Sequence, residues 1–318
     1  MIIWFSLLAS IIPMSFYLLF IRNMDRFEKE PLLLVLKHFI WGATGAVFFA
    51  IIGSTFLSFP VKMFFTDVSL SELLMTVLVA PLVEESAKGI YLLRTVKRLE
   101  FDNITDGLVY GGAIGLGFGM TENFLYFIGA SDNLSNWIAT VVIRTTFSAV
   151  MHAIATATFG AFLAMKKFST NKFRNAFPII GILIAMFIHF LWNFTVSFTF
   201  TSLLGYLFLL TAIISFFLVF KLSLKNEAQI IQTELKSENI PLKISTKILS
   251  LIKSKKKKIE QSENKEYISL AVKLAFRKRQ LATATGKDIK IYSDDIFLIR
   301  NELNNKLNII NSKDNNEQ

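Results

Sequence analysis

The sequence predicts an all-α, polytopic membrane protein: a helical bundle of about seven transmembrane helices, N-terminus out and C-terminus in, followed by a basic, partly helical cytoplasmic tail. Three observations carry that expectation. The chain of 318 residues is 53% hydrophobic, contains 32 Phe and has a mean hydropathy of +0.50, well above that of an ordinary soluble domain. Seven stretches, near 2–21, 35–59, 70–93, 104–129, 137–165, 176–197 and 199–220, can cross a hydrocarbon core of about 30 Å, which takes roughly 20 helical residues. The connecting loops differ sharply in charge.

The first stretch, "IIWFSLLASIIPMSFYLLF", lacks a basic start and a small-residue cleavage site. It reads as a retained span rather than a removed signal peptide. Arg22, Arg26 and Lys29 follow span one, Arg94, Lys97 and Arg98 follow span three, and Lys166, Lys167, Lys172 and Arg174 follow span five. The alternate loops hold only Lys62. Basic loops stay on the cytoplasmic side, so the N-terminus is expected outside and the chain multi-pass in a cell membrane. Cysteine is absent, so no disulfide framework exists.

Charge also divides the chain. Residues 1–220 carry 14 Lys/Arg against 12 Asp/Glu, whereas residues 221–318 carry 20 against 12. The expected boundary puts a transmembrane domain at 1–222 and a cytoplasmic tail at 223–318. In the tail, "LKISTKILSLIKSKKKK" sets apolar and basic residues at helical spacing. That pattern suits the anionic inner leaflet better than nucleic acid on a membrane-tethered chain. "EYISLAVKLAFRKRQL" and "DDIFLIRNELNNKL" read as short helices, and the closing "NSKDNNEQ" as frayed.

The polar residues within spans three to six raise the functional question. An ionisable side chain near the bilayer centre costs about 2.5–3.5 kcal/mol on insertion scales, so it is expected to face protein or water and to have a partner. Those spans hold Glu84, Glu85, Lys88, Glu122, Arg144, His152 and His189, with the amides Asn123 and Asn193. Glu84 and Lys88 are i and i+4, on one helical face and in the favourable order for pairing. Glu85 lies about 100° round the helix and can enter the same cavity. His152, Thr156 and Gly160 repeat the spacing, as do Phe118 with Glu122 and His189 with Asn193. A shared, water-accessible site between four helices is the simplest account.

Two adjacent glutamates in a low dielectric suit a general base that activates water beside a neighbour able to return the proton. A structural Glu–Lys pair pinning one helix is the alternative. His152 and His189 could bind a metal together with Glu85 and Glu122, or donate to a developing oxyanion with Asn193 as second donor. No HExxH spacing is present, so zinc is compatible but not demanded, and a metal-free glutamate mechanism stays open. Arg144 reads as a snorkelling or pairing residue, Trp192 and Phe118 as packing, and "DRFEKEP" (25–31) as a charged, Pro-terminated turn.

"EESAK" (84–88), "FGMTEN" (118–123), "HAIATATFG" (152–160) and "HFLWN" (189–193), in that order, resemble the motif set of the PrsW intramembrane proteases, which are distantly similar to the CAAX prenyl proteases. "DRFEKEP" is similar to that family as well. The resemblance covers roughly residues 1–220. It implies a membrane-embedded peptidase that cuts a membrane protein on or near the outer face, typically the first cleavage of an anti-sigma factor. Carried onto this chain, Glu84 and Glu85 would be catalytic carboxylates, completed by Glu122, His152 and His189. Asn193 joins them as a candidate catalytic residue, with Lys88 and Asn123 as supporting residues. The expected substrate is a single-pass membrane protein. The alternative reading is a proton- or cation-coupled transporter using the same buried groups.

Overall fold

A computed structural model describes residues 2–238, 240, 246, 248 and 265–316. The chain forms two compact units. One comprises Met1–Met24, Glu30–Lys167 and Asn171–Phe220; the other comprises Asp25–Lys29, Phe168–Thr170 and Lys221–Gln318.

The helices run in order as α1 (Ile2–Met24), α2 (Leu32–Trp41), α3 (Val47–Phe64), α4 (Val68–Leu74), α5 (Ala80–Thr95), α6 (Ile104–Gly129), α7 (Leu134–Ile143), α8 (Ala149–Phe168), α9 (Phe177–Val196) and α10 (Ser202–Glu234). Single π-helical turns join α2 to α3 (Gly42–Ala46), α4 to α5 (Met75–Val79) and α7 to α8 (Arg144–Ser148). Among the described residues, five continuous helices are long and apolar enough to cross a membrane: Ile2–Met24, Leu32–Phe64, Leu134–Phe168, Arg174–Val196 and Ser202–Ser237. Length and apolarity therefore pick out five spans rather than seven. Residues 68–95 and 104–129 are helical too, but Glu72, Glu84, Glu85, Lys88 and Arg94 dilute the first and Asp106, Glu122 and repeated glycines the second.

α6 is the central helix of the first unit, buried without interruption from Thr105 to Gly119. Its start is fixed by a capping box: the Asn103 side chain accepts from the Asp106 amide at 2.9 Å, and Asp106 accepts from the Asn103 amide at 3.1 Å. Gly107, Gly111 and Gly115 form an i, i+4 seam facing α8. A Cβ at Gly111 would strike the carbonyl oxygen of Thr156, and one at Gly115 that of His152. The two backbones are therefore in direct contact, as small residues permit between membrane helices. On the periphery, Phe48, Ile52, Phe56 and Phe59 of α3 are exposed, as expected of a face that meets lipid rather than water.

The π turns place polar groups between helices. A π turn loosens the i→i−4 ladder, so a carbonyl becomes available to an outside donor. Thr121 donates to Ala43 O at 2.8 Å and Asn193 to Thr76 O at 2.9 Å. The loop after α1 is also tied down. Glu30 is buried and accepts from the Tyr110 hydroxyl, while Arg22 Nε donates to the Glu30 carbonyl at 2.7 Å. His38 is separately engaged with Leu34 O and Thr95 Oγ1, both at 2.7 Å, and stacks on Tyr110.

In the second unit α11 (Lys265–Thr283) and α12 (Lys287–Asn316) pack through Ile268, Val272, Phe276, Ile296, Ile299 and Leu303. These helices are longer than the short ones expected, and α12 runs to Asn316, into the stretch read as frayed. Most of the basic run 242–258 lies outside the described residues. Glu238 receives Arg300 at 3.1 and 2.7 Å and Lys278 at 2.8 Å. These donors, Arg300 foremost, hold its carboxyl below the usual range against the opposing effect of burial.

Two outcomes are expected. Gly115→Val overpacks the α6–α8 seam and costs about 1–3 kcal/mol, read as a lower Tm in detergent. Gly129→Ala, whose Cβ meets nothing within 4 Å, leaves Tm within a degree or so, the small change typical of a surface substitution. Because the Glu238 pKa is depressed, its contribution is complete above the unfolded value of about 4.3 and is lost as pH falls through the folded value. Amide exchange across 265–303 should therefore accelerate in acid, and Glu238→Gln should flatten that dependence.

Candidate active site

α5 brings Glu84, Glu85 and Lys88 into the bundle, α6 Phe118, Glu122 and Asn123, α8 His152 and Thr156, and α9 His189 and Asn193. At the centre is the Lys88 ammonium, whose side chain is 0% exposed. It lies 2.7 Å from Glu85 Oε1, 2.9 Å from His152 Nδ1 and 3.5 Å from Glu84 Oε2. The Phe118 ring caps it at 3.8 Å, so Phe118 is a cation–π partner as well as a packing residue.

These contacts assign the tautomers of both imidazoles. An ammonium only donates, so His152 Nδ1 accepts and the ring proton sits on Nε2. That nitrogen donates to Glu122 Oε2 at 2.6 Å. Glu85 Oε1, already accepting from Lys88, takes a second bond from His189 Nδ1 at 3.0 Å. His189 Nε2 is then a bare lone pair, 3.9 Å from Glu84 Oε2. The two rings meet edge to face with centroids 4.7 Å apart.

The three carboxylates occupy different settings. Glu85 is 1% exposed, with Oε2 accepting from Thr156 at 3.1 Å, so both its oxygens are engaged. Glu84 and Glu122 retain 14% and 24% exposure and line a pocket of about 300 Å³. Arg144 Nη2 reaches the same Glu122 oxygen, Oε2, at 2.8 Å, while Arg144 Nε donates to Asn123 at 3.2 Å and the guanidinium covers Tyr126 at 3.6 Å.

Glu84, Glu85, Lys88, Glu122, His152 and His189 are thus in mutual contact. Asn193 is apart, its amide nitrogen being used on Thr76 O, and Asn123 reaches the cluster only through Arg144. Thr156 and the Arg144–Glu122 pair belong to the cluster although neither was chosen from sequence. Thr156 had a signal, standing one turn after His152; Arg144 had none that names its partner.

The residues fit a metal by donor chemistry. Glu84, His152 and His189 can each place one ligand atom within 4.8 Å of the others, a two-histidine, one-carboxylate set of the kind catalytic zinc uses, in which His152 would have to exchange its contact with Lys88 or Glu122 for the ion. The Glu85–His189 bond is the carboxylate–imidazole pairing that orients a ligating histidine. This set shares both imidazoles with the expected one, in which Glu85 and Glu122 joined the histidines. Both oxygens of Glu85 accept, from Lys88, His189 and Thr156, whereas His152 and Arg144 share Oε2 of Glu122.

The family described as PrsW family intramembrane metalloprotease matches residues 30–221. The chain is similar to Protease PrsW of Clostridioides difficile (strain 630), 29% identical over 189 residues, covering 59% of this chain and 77% of that protein. It is also similar to Protease PrsW of Bacillus subtilis (strain 168), 26% identical over 190 residues with 59% and 81% covered. Protease PrsW of Geobacillus kaustophilus (strain HTA426) is 30% identical over 193 residues with 58% and 77% covered. No solved structure matches the chain.

Lys88→Met would leave Glu85 without its buried counter-charge. Removing one member of such a pair costs about 3–5 kcal/mol, so the variant should show a markedly lower Tm than wild type, whereas Lys88→Arg should recover part of the loss.

Proposed function

Since the chain belongs to the PrsW family of intramembrane metalloproteases, we propose that Glu84 is the general base that activates water for cleavage of a membrane-protein substrate. One observation carries the choice of Glu84: its carboxylate is partly exposed at the pocket, whereas both oxygens of Glu85 are occupied. Glu84 takes a proton from water as the oxygen adds to the scissile carbonyl carbon. It returns that proton to the amide nitrogen as the C–N bond breaks. Glu85 and Lys88 keep His189 and His152 in their tautomers. His152 Nε2–H and Arg144, both resting on Glu122, are the donors nearest the developing oxyanion. Asn193, held on Thr76, positions α9 against α5.

In the alternative, metal-assisted scheme Glu84, His152 and His189 would instead hold the ion, with His152 giving up its contact to Lys88 or Glu122, and the ion's chemistry there would be to acidify water and polarise a carbonyl. Zinc suits this donor set.

The protein is a multi-pass membrane protein, and its substrate lies in the bilayer. We further read seven crossings with the N-terminus out, a peptidase domain at 1–222 and a cytoplasmic tail at 223–318 on the anionic inner leaflet of the cell membrane. The substrate class is a single-pass membrane protein such as an anti-sigma factor, cut first here. Family membership speaks against ion-coupled transport.

The test is the appearance of new membrane-protein N-termini in cells carrying wild-type or Glu84→Gln chains. Removing a general base lowers rates by about 10²–10⁴, so Glu84→Gln should abolish the new ends. Metal bound to the purified protein should also fall. Undiminished fragments in that variant would overturn the assignment.

A further inference from the structure

The pocket at Glu84 and Glu122 has a wall that the hydrolytic machinery does not use. It is formed by Val47, Ala50 and Ser54 of α3 and by Leu125 of α6, facing the two carboxylates. We propose that this wall is the subsite for the substrate residue flanking the scissile bond, and that it selects uncharged side chains up to aromatic size. The inference rests on the assignment of Glu84 above.

Position supports it first. Glu84 and Glu122 are the members of the acidic cluster that retain exposure, and both open into this pocket. A peptide bond brought to Glu84 must therefore place its neighbouring side chain against α3. Size is the second support. An apolar cavity of about 150 Å³ accepts a benzene-sized molecule; this one, at about 300 Å³, holds a branched or aromatic side chain with room for water.

Charge is the third. Apart from Glu84 and Glu122, no charged residue among the described residues lines the pocket. Arg144 pairs with Glu122 at 2.8 Å, and Lys88 is shared between Glu85 at 2.7 Å and Glu84 at 3.5 Å. A substrate Asp or Glu would enter against two carboxylates and an apolar wall, and a Lys or Arg would have to shed its water beside acids already bonded to Lys88 and Arg144, which is costly in both cases. Ser54 and Thr55 are the polar points on the wall; Thr55 donates to Ile51 O at 2.8 Å, and the Ser54 hydroxyl is able to meet a backbone group of an extended substrate. Neither Ser54 nor Val47 touches the Lys88–His152–Glu122 network through any hydrogen bond or ion pair, so the wall can be altered separately.

The experiment sequences new N-termini of membrane proteins from cells expressing full-length wild-type, Ser54→Phe, Val47→Ala or Glu84→Gln chains. Ends that depend on Glu84 are the cleavage sites. In the wild type, one residue flanking these sites should be almost free of charge. Ser54→Phe should lower the ratio of ends beside Leu, Phe and Met to ends beside Gly, Ala and Ser by about tenfold, the scale of steric discrimination in an apolar pocket. Val47→Ala should raise that ratio. Should Ser54→Phe fail to accumulate, Val47→Ala, which only removes atoms, decides alone. Glu84-dependent ends with an unchanged residue profile, or with charged residues at both flanks, would overturn the subsite and leave the base assignment standing. Ends that do not depend on Glu84 would overturn both.

Discussion

A lysine side chain with no exposed surface sets the terms for the first unit. Stripping an ammonium of water costs several kcal/mol, recovered only if every donor meets an acceptor in good geometry. Lys88 achieves this with acceptors from two helices, Glu84 and Glu85 on its own and His152 on α8, and with the Phe118 ring from α6. The same contacts dictate the tautomer of His152 and, through Glu85, that of His189. The chemistry of both imidazoles is consequently subordinate to where one cation sits.

Backbone packing delivers those acceptors to it. The glycine seam of α6 sets His152 and Thr156 by the position of their own carbonyls. The π turns supply the complementary adjustment. One places Arg144 opposite Glu122, and another exposes Thr76 O to Asn193. Helix contact defines the coarse separation, and these widened turns correct the rotation of each side chain.

Much of this could be read in the residues. Apolar runs marked the helices, and the i, i+4 spacing of Glu84 and Lys88 and of His152 and Thr156 marked shared faces. What escaped was contact across large sequence separation. Nothing in the spacing of residues 88 and 152 says that an ammonium will fill Nδ1, and only that contact reveals which carboxylates are already occupied. Spacing offered Glu85 and Glu122 as metal ligands beside the histidines, whereas the ligand atoms that come within 4.8 Å of one another are those of Glu84, His152 and His189. Asn193 was placed beside His189 correctly along the helix, but its amide turns toward a carbonyl that exists only because α4 and α5 are joined by a π turn. The two segments richest in charge or glycine read as spans by length, yet only the glycine-rich one, α6, is enclosed by protein along most of its course, while 68–95 keeps Leu78, Leu82, Ile90 and Leu93 exposed.

The bare contact between α6 and α8 has a mechanical consequence. With carbonyl oxygens against glycine Cα atoms, there are no side chains at Gly111 or Gly115 to rearrange, and that interface behaves as a stiff hinge-less plate. Any admission of a polypeptide must then be accommodated elsewhere. Helix α3, by contrast, meets the pocket through the side chains of Val47, Ile51 and Ser54, so displacement on that flank works against side chains rather than bare backbone.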